Sequence, residues 1–292
     1  MNNCKNYLKK HQIITGERIQ QIADVYIGEK YDFEWNPVIY QDKKKHKNIH
    51  ELFSIDNYEN PKIVFCYTHL IPKLVKNIHK FMNPFVLITH NSDYNVTDCE
   101  DTFVILMNEK VIKWYTQNLS TTDYEKLFFL PIGIANSQWP HGNLDIFDYI
   151  HKNYEISSLK SKSIYFSFKI ETNMSKRKEC FDTLKNTIPF LPFAPFEENL
   201  IRMMNYKYCI CPVGNGIDTH RLWEAYYLKI VPIMIEDIFS KRLEKMKFPI
   251  LLVKSWKELD IYNLPLYSSY DFSYVEYYLD INNIKNNILD IL

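Results

Sequence analysis

Residues 208–235 read YCICPVGNGIDTHRLWEAYYLKIVPIMI. The pattern predicts a buried strand over Tyr208–Cys211, a loop through Pro212 and Gly214-Asn215-Gly216, and a helix over Asp218–Leu228. A second apolar strand follows over Ile230–Ile235. Strand, loop, helix, strand is the repeating unit of an α/β sheet. Asp218 or Thr219 is placed to cap the helix. Two of only 6 glycines in 292 residues fall in the loop, one residue apart. Glycines let backbone come close, the free N–H groups of a helix start donate, and the helix dipole favours negative charge. Arg221 and Glu224 are three apart and share one helix face. An arginine there can fork onto a diphosphate, and a carboxylate one turn on can accept two hydrogen bonds from a ribose diol. The same two residues also read as an ordinary i,i+3 ion pair on a common strand-to-helix turn. The loop is not a Walker A motif, because no Gly-Lys-Ser/Thr follows, and it lacks the third glycine of the dinucleotide fingerprint.

Outward from this stretch the α/β rhythm continues. Lys62–Tyr67 (KIVFCY) and Phe85–Thr89 (FVLIT) read as buried strands, with a helix over Leu70–Met82 stopped by Pro84. Phe103–Met107 reads as a third strand, Val111–Gln117 as a short helix, and Phe128–Ile132 as a fourth strand. The first 60 residues look mixed and polar, and the basic run KKKHK at 43–47 reads as a solvated loop. Residues 144–162 read as a connecting helix and a Ser/Lys-rich linker. A second series begins with a strand over Ile164–Phe168 and the polar loop KIETNMSKR, then helices near 176–186 and over Glu197–Asn205, and a strand over Ile250–Val253. The expected architecture is two Rossmann-like halves, 1–155 and 156–270, facing a cleft. A C-terminal helical segment, 271–292, packs back toward the first half. Ligands in such sheets bind at the carboxyl ends of the strands. HNSD at 90–93 and GIANSQWPHGN at 133–143 sit at that end.

Composition narrows the class. Lys+Arg and Asp+Glu are equal at 35 each, so the formal net charge is zero, which argues against a generalised polyanion binder. The six cysteines (Cys4, Cys66, Cys99, Cys180, Cys209 and Cys211) match no zinc spacing and read as free buried thiols. The N-terminus lacks the apolar core of a signal peptide, and no stretch reaches the ~18–20 apolar residues that span a bilayer. The expectation is a soluble protein of the cytoplasm.

The block GNGIDTHRLWEAYYLKIVPIM resembles the C-terminal signature of exostosin-like glycosyltransferases. FCYTH at 65–69, ITHNSD at 88–93, PIGIANSQWPHGN at 131–143 and YFSFKIETNMSKR at 165–177 agree more loosely, so the resemblance covers roughly residues 60–240. Lys229 stands where the family usually has glycine, and Val213 where a basic or polar residue is common. The resemblance implies two Rossmann-like domains in the GT-B arrangement and an inverting transferase using a nucleotide sugar, UDP-linked in preference to GDP-linked. It implies that Gly214, Asn215, Gly216, Asp218, Thr219, His220, Arg221 and Glu224 line the donor. Thr172, Asn173 and Arg177 resemble the family's TN-x-x-x-R element and would lie beside the diphosphate or the transferred sugar. Eukaryotic members are usually membrane-anchored, so an unanchored chain fits viral or bacterial glycan assembly.

No D-x-D element occurs, so no metal is expected, and leaving-group charge falls on Arg221, other basic groups and the helix N-terminus. An inverting transfer needs a base for the acceptor hydroxyl. The candidates are Asp93, His90 and His141, each of which also has an ordinary reading as a turn, core or loop residue. Trp114 and Trp139 are candidate sugar-stacking faces, with core or loop packing as the plainer alternative. Rival readings are a GDP-sugar transferase of the fucosyl type, a catalytically silent nucleotide- or glycan-binding module, and a nucleic-acid binder, which the neutral charge disfavours.

Overall fold

Twelve strands follow one another along the described chain. They are β1 (Val25–Gly28), β2 (His46–Asn48), β3 (Ile63–Tyr67), β4 (Phe85–His90), β5 (Val96–Thr97), β6 (Val111–Thr116), β7 (Leu119–Ser120), β8 (Leu127–Phe129), β9 (Lys162–Tyr165), β10 (Tyr206–Ile210), β11 (Val231–Ile235) and β12 (Leu251–Val253). The structure is a computed structural model that describes residues 8–54 and 61–291; Cys4 lies outside the described residues. A six-stranded sheet has the order β2-β1-β3-β4-β6-β8, and a four-stranded sheet the order β12-β11-β10-β9. Every pairing in both is parallel. A parallel pair β5-β7 forms a separate short ribbon. The chain is therefore α/β, compatible with Rossmann-like folds.

The continuous apolar runs explain the parallel sheets. All residues of β3 and β4 are buried, because helices cover both faces of a parallel sheet and leave no polar side. Between them lies the helix Ile71–Asn77, within the span expected from Leu70–Met82. In the second sheet the helices Met174–Leu184, Phe196–Met203, His220–Tyr227 and Ile238–Lys245 connect the strands.

Four expectations are corrected. Residues 103–107 belong to a helix, Glu100–Met107, and 111–116 form β6, the reverse of the sequence reading. FVILM looks like a buried strand, yet Phe103, Val104 and Met107 are exposed and only Thr102 and Ile105 of that helix are buried. Val111, Trp114 and Tyr115 have helical spacing, but VIKWYT is rich in β-branched and aromatic residues and lies between β4 and β8, where pairing on both edges decides. The first 60 residues supply β1 and β2, so the polar opening is part of the sheet. KKKHK is not simply a solvated loop: His46 and Lys47 enter β2, and the His46 ring stacks on Phe33 at 4.0 Å. Finally, Cys66, Cys180, Cys209 and Cys211 are buried free thiols, but Cys99 is exposed.

The two sheets share apolar core. Phe129 of β8 stacks on Trp223 of the helix His220–Tyr227 at 6.0 Å and meets Phe239 edge-on at 5.5 Å. The chain ends also join: Ile13 bridges Asp280, Gln12 donates to Asp280 at 2.7 Å, and the last helix, Ile281–Leu289, contacts the first, Gly16–Ile22. No helix among the described residues is long and apolar enough to cross a membrane.

Candidate functional site

The loop after β10 is built by close approach. A Cβ on Gly214 would lie 3.0 Å from Arg177 Nη2 and 3.7 Å from Thr172 Cγ2. On Gly216 it would lie 2.6 Å from Asn118 Oδ1. A larger residue at either position would push these groups away. Asn173 caps the helix Met174–Leu184 by accepting from Lys176 N, and its amide donates to Gly214 O at 2.8 Å. Arg177, on the same helix, donates to Val213 O at 3.0 Å and Lys169 O at 2.9 Å. Thr172, Asn173 and Arg177 are thus gathered against the glycine loop.

Arg221 lies on the first turn of His220–Tyr227. Its Nε donates to Glu224 at 2.9 Å, Nη1 donates to Ser167 O at 2.7 Å, and its plane lies over the Tyr165 ring at 5.4 Å. The i,i+3 ion pair is therefore present. Burial pulls the Arg221 guanidinium down, but Glu224 and the surrounding Cys209 and Tyr165 groups outweigh it and the net direction is up. Burial and then repulsion by Arg221 pull Arg177 down to about 10. Two largely buried guanidiniums that repel each other, with Glu224 paired to Arg221 alone, leave this edge net cationic.

Asp218 departs from expectation. Thr219 occupies the N-cap, with no side-chain capping bond, and Asp218 is not a cap. Its carboxylate is buried and ties the two sheets: it accepts from Ile132 N at 2.7 Å and from Trp223 Nε1 at 2.6 Å. Burial pushes it up to about 7 against the pull of these two donors. Its backbone N–H donates to Asn118 Oδ1 at 2.9 Å. Asp218 is thus a joint between the sheets rather than a wall of a donor site. Exposed Asn215 reaches across to Asp93, donating to Oδ2 at 3.2 Å.

The six-stranded sheet has its own feature. Strand order reverses between β1 and β3, and loops at such a switch point splay apart and leave a crevice. A cavity of about 260 Å³ lies there, lined by the last residue of β3 (Tyr67) and by residues following β1 (Asp32, Trp35, Asn36), β4 (Asn91, Ser92, Asp93), β6 (Gln117) and β8 (Ile132, Asn136, Gln138, Trp139), with Gly16 and His220. His220 enters from the second half. Its Nδ1 lies 2.8 Å from Gly133 O, which can only accept, so Nδ1 carries the proton of the neutral ring and Nε2 is the basic nitrogen. Burial pulls this imidazole below the ordinary histidine value. Gly133 has φ +69°, and a Cβ there would lie 2.3 Å from Ile14 O, so the carbonyl that orients His220 depends on glycine.

The candidate bases fare differently. His90 is sealed: it is fully buried, its Nε2 lies 3.1 Å from Pro131 O and its Nδ1 3.1 Å from Asn91 Oδ1, and burial pulls it down to about 4. It lies outside the lining of the cavity and is corrected to a core histidine. His141 stacks on Trp139 at 6.2 Å, beside the cavity rather than on its wall. Asp93 lines the cavity and is exposed. Trp114 is fully buried with its Nε1 donating to Thr89, so it is a core residue and no stacking face, whereas Trp139 is half exposed on the cavity rim. Sequence reasoning flagged the loops 90–93 and 133–143 but missed Asp32, Trp35, Asn36 and Gln117. The signal for the first three was the apolar VYIG of β1, hidden in a polar opening.

Among the described residues no group of three or more His, Cys, Asp or Glu side chains is arranged to hold a metal ion. No family model matches the chain, and a search of curated proteins finds no match either.

Proposed function

We propose that this chain is an inverting glycosyltransferase of the exostosin-like kind, with Rossmann-like halves over 1–155 and 156–270 in the GT-B arrangement. It takes its sugar from a nucleotide-sugar donor, UDP-linked in preference to GDP-linked, and passes it to a glycan or glycoconjugate. The observation that carries the reading is the pair Arg177 and Arg221, gathered beside the Gly214–Gly216 loop at the carboxyl end of β9 and β10. Two guanidiniums less the Glu224 carboxylate leave a net positive charge, which attracts a diphosphate and stabilises it as it departs. Glu224, held by Arg221, has a second oxygen to offer a ribose hydroxyl. This charge stabilisation needs no metal.

The test is thermal stabilisation of the full chain by UDP-, GDP-, CMP- and dTDP-sugars, with and without EDTA. A ligand that binds the native state raises its melting temperature. The expected result is a selective upward shift, largest with UDP-sugars and retained in EDTA. A shift with GDP-sugars alone would move the assignment to the fucosyl type. No shift with any donor would overturn the donor site, and binding without turnover would leave a silent module.

A further inference from the structure

The cavity at the switch point has a chemistry of its own. At about 260 Å³ it falls just under the ~300 Å³ lower end of small-molecule pockets, room for a single ring-sized group. Five of its lining residues are the amides Asn36, Asn91, Gln117, Asn136 and Gln138. Part of their capacity is spent internally: Asn36 Oδ1 accepts from Val38 N and Ile39 N, Asn91 Nδ2 donates to Gln20, Gln117 Nε2 donates to Ser92 O and Asn136 Oδ1 accepts from Glu17 N, so the remaining amide hydrogens and lone pairs are what a hydroxyl can meet. No lysine or arginine lines the wall, while Asp32 and Asp93 do. Asp32 is already engaged, with Oδ1 3.2 Å from His69 Nε2 and Oδ2 accepting from Glu29 N at 2.8 Å. At the rim Trp35 and Trp139 are 51% and 40% exposed, with ring centroids 5.6 Å apart. Exposed indoles beside a polar crevice offer apolar faces with a polar handle.

From these features we infer that the cavity receives an uncharged sugar ring of the acceptor, stacked at the Trp35–Trp139 rim, and that His220 takes the proton of its reacting hydroxyl. The proton step rests on the transferase reading above; the saccharide pocket does not. A uronate, sulfate or phosphate group would meet two carboxylates and no wall cation, so anionic rings are disfavoured. His220 is the only histidine on the wall, and its tautomer leaves Nε2 as the base. In the step, the acceptor oxygen bonds to the anomeric carbon as the bond from that carbon to the diphosphate oxygen breaks. The bonding pair leaves with the nucleoside diphosphate, the hydroxyl proton passes to Nε2, and His220 later releases it to water. Arg177 and Arg221 balance the charge on the leaving group.

Two measurements test this on the full chain. The first is tryptophan fluorescence without nucleotide, titrating methyl glycosides of glucose, galactose, mannose and xylose, with methyl glucuronide and galactose 6-sulfate as charged counterparts. At least one neutral glycoside should quench saturably, at least tenfold more tightly than either charged sugar, and Trp139→Ala should weaken it at least tenfold. No neutral quenching, or equal binding of the charged sugars, would overturn the pocket assignment. The second is His220→Asn, whose side-chain amide can still donate to Gly133 O. Transfer should fall by roughly 10²–10⁴-fold, and the acid limb of the kcat profile should disappear. Unchanged transfer would overturn the base. Intact glycoside binding with no nucleotide shift in the native chain would instead remove the transferase reading and the proton step with it, and leave the saccharide pocket standing.

Discussion

The two parallel sheets end in opposite chemistries. The six-stranded sheet reverses its strand order between β1 and β3, and its carboxyl edge opens into a cavity walled by amides, two carboxylates and a histidine. The four-stranded sheet runs one way, β9 to β12. Its edge is filled by a glycine loop with Arg177 packed against it, and by Arg221 holding Ser167 O beyond β9. One edge is a space without wall cations; the other is cationic. The difference teaches that topology makes the cavity, while loop sequence makes the charge. The proposed transfer would use both, a place for a neutral nucleophile and a place for a departing anion, and the helix His220–Tyr227 contributes an adjacent residue to each edge.

The strongest way to break the comparison is to remove the charge. Arg221→Ala should lower transfer by roughly 10²–10³-fold, the scale of losing one preorganised charge-stabilising group. It should also destabilise the fold by roughly 3 kcal/mol, because it leaves the Glu224 carboxylate buried beside no partner. Urea titration of Arg221→Ala, Glu224→Ala and the double variant separates the effects. The double variant should regain part of the lost stability and none of the transfer. If all three lose stability additively, the pair is not coupled and the contrast in charge is only apparent.

Asp218 joins the two edges, and Asp218→Asn sharpens the comparison from the other side. One amide oxygen cannot replace two carboxylate oxygens, so Ile132 N or Trp223 Nε1 loses its acceptor at a cost of about 1–3 kcal/mol. The pH dependence has a definite sign. Burial raises the folded-state pKa of Asp218 from 3.8 to about 7, so its contribution is fully present below the unfolded value and is lost as pH rises through about 7. The stability gap between the native chain and Asp218→Asn, measured by urea titration from pH 4 to 8, should therefore narrow as pH rises. A gap that widens would mean that the carboxylate is held ionised by its two donors. His90, buried neutral, works in the opposite direction in both proteins, losing its contribution as pH falls through about 4, and cancels in the difference.

Gly133→Ala probes the seam more gently. Its positive φ costs a residue with a Cβ about 1–2 kcal/mol, and the new methyl meets the Ile14 carbonyl. Moving the Gly133 carbonyl releases the His220 ring. Transfer should fall several-fold with glycoside affinity little changed, and the acid limb of the kcat profile should shift toward the ordinary histidine value. Glu224, His141 and Asp93 also face that ring, so the shift should persist in His141→Gln. An unchanged profile would show that His220 keeps its orientation by packing alone.

How much of this could be read from the sequence follows the same division. The second half was legible because 208–235 carries strand, glycine loop and helix in one unbroken pattern. The first half was less so. The cavity wall is collected from five loops, and no local pattern tells Asp32 or Gln117 that Asn136 will lie nearby. Residues 103–116 were inverted because a short apolar run has no period long enough to separate helix from strand, and pairing between β4 and β8 is non-local. Asp218 looked like a cap because capping is a local rule, whereas its partners are contributed by residue 132 and by the far side of its own helix.

Lys229 shows the reverse, a local rule read off the chain and met in the fold at a cost. It stands where the resembling family has glycine, and it has φ +52°. Lys229 N donates to Tyr226 O at 2.9 Å and Ile230 N to Ala225 O at 2.8 Å, the double bond of a Schellman ending, which favours glycine at this position. Lysine keeps the left-handed backbone at about 1 kcal/mol. It offsets part of that with a Glu276 ion pair at 2.8 Å, an exposed contact worth about 0–1 kcal/mol. Lys229→Gly should therefore leave stability within about 0.5 kcal/mol, because the relieved strain is offset by the lost ion pair and by the larger unfolded-state entropy of glycine, with transfer and glycoside binding unchanged. A loss of more than about 1 kcal/mol would instead mean that the Glu276 contact, which ties the helix end to the C-terminal segment, outweighs the backbone strain. In that case the seam between the halves would extend past the loops at the sheet edges into residues 271–291.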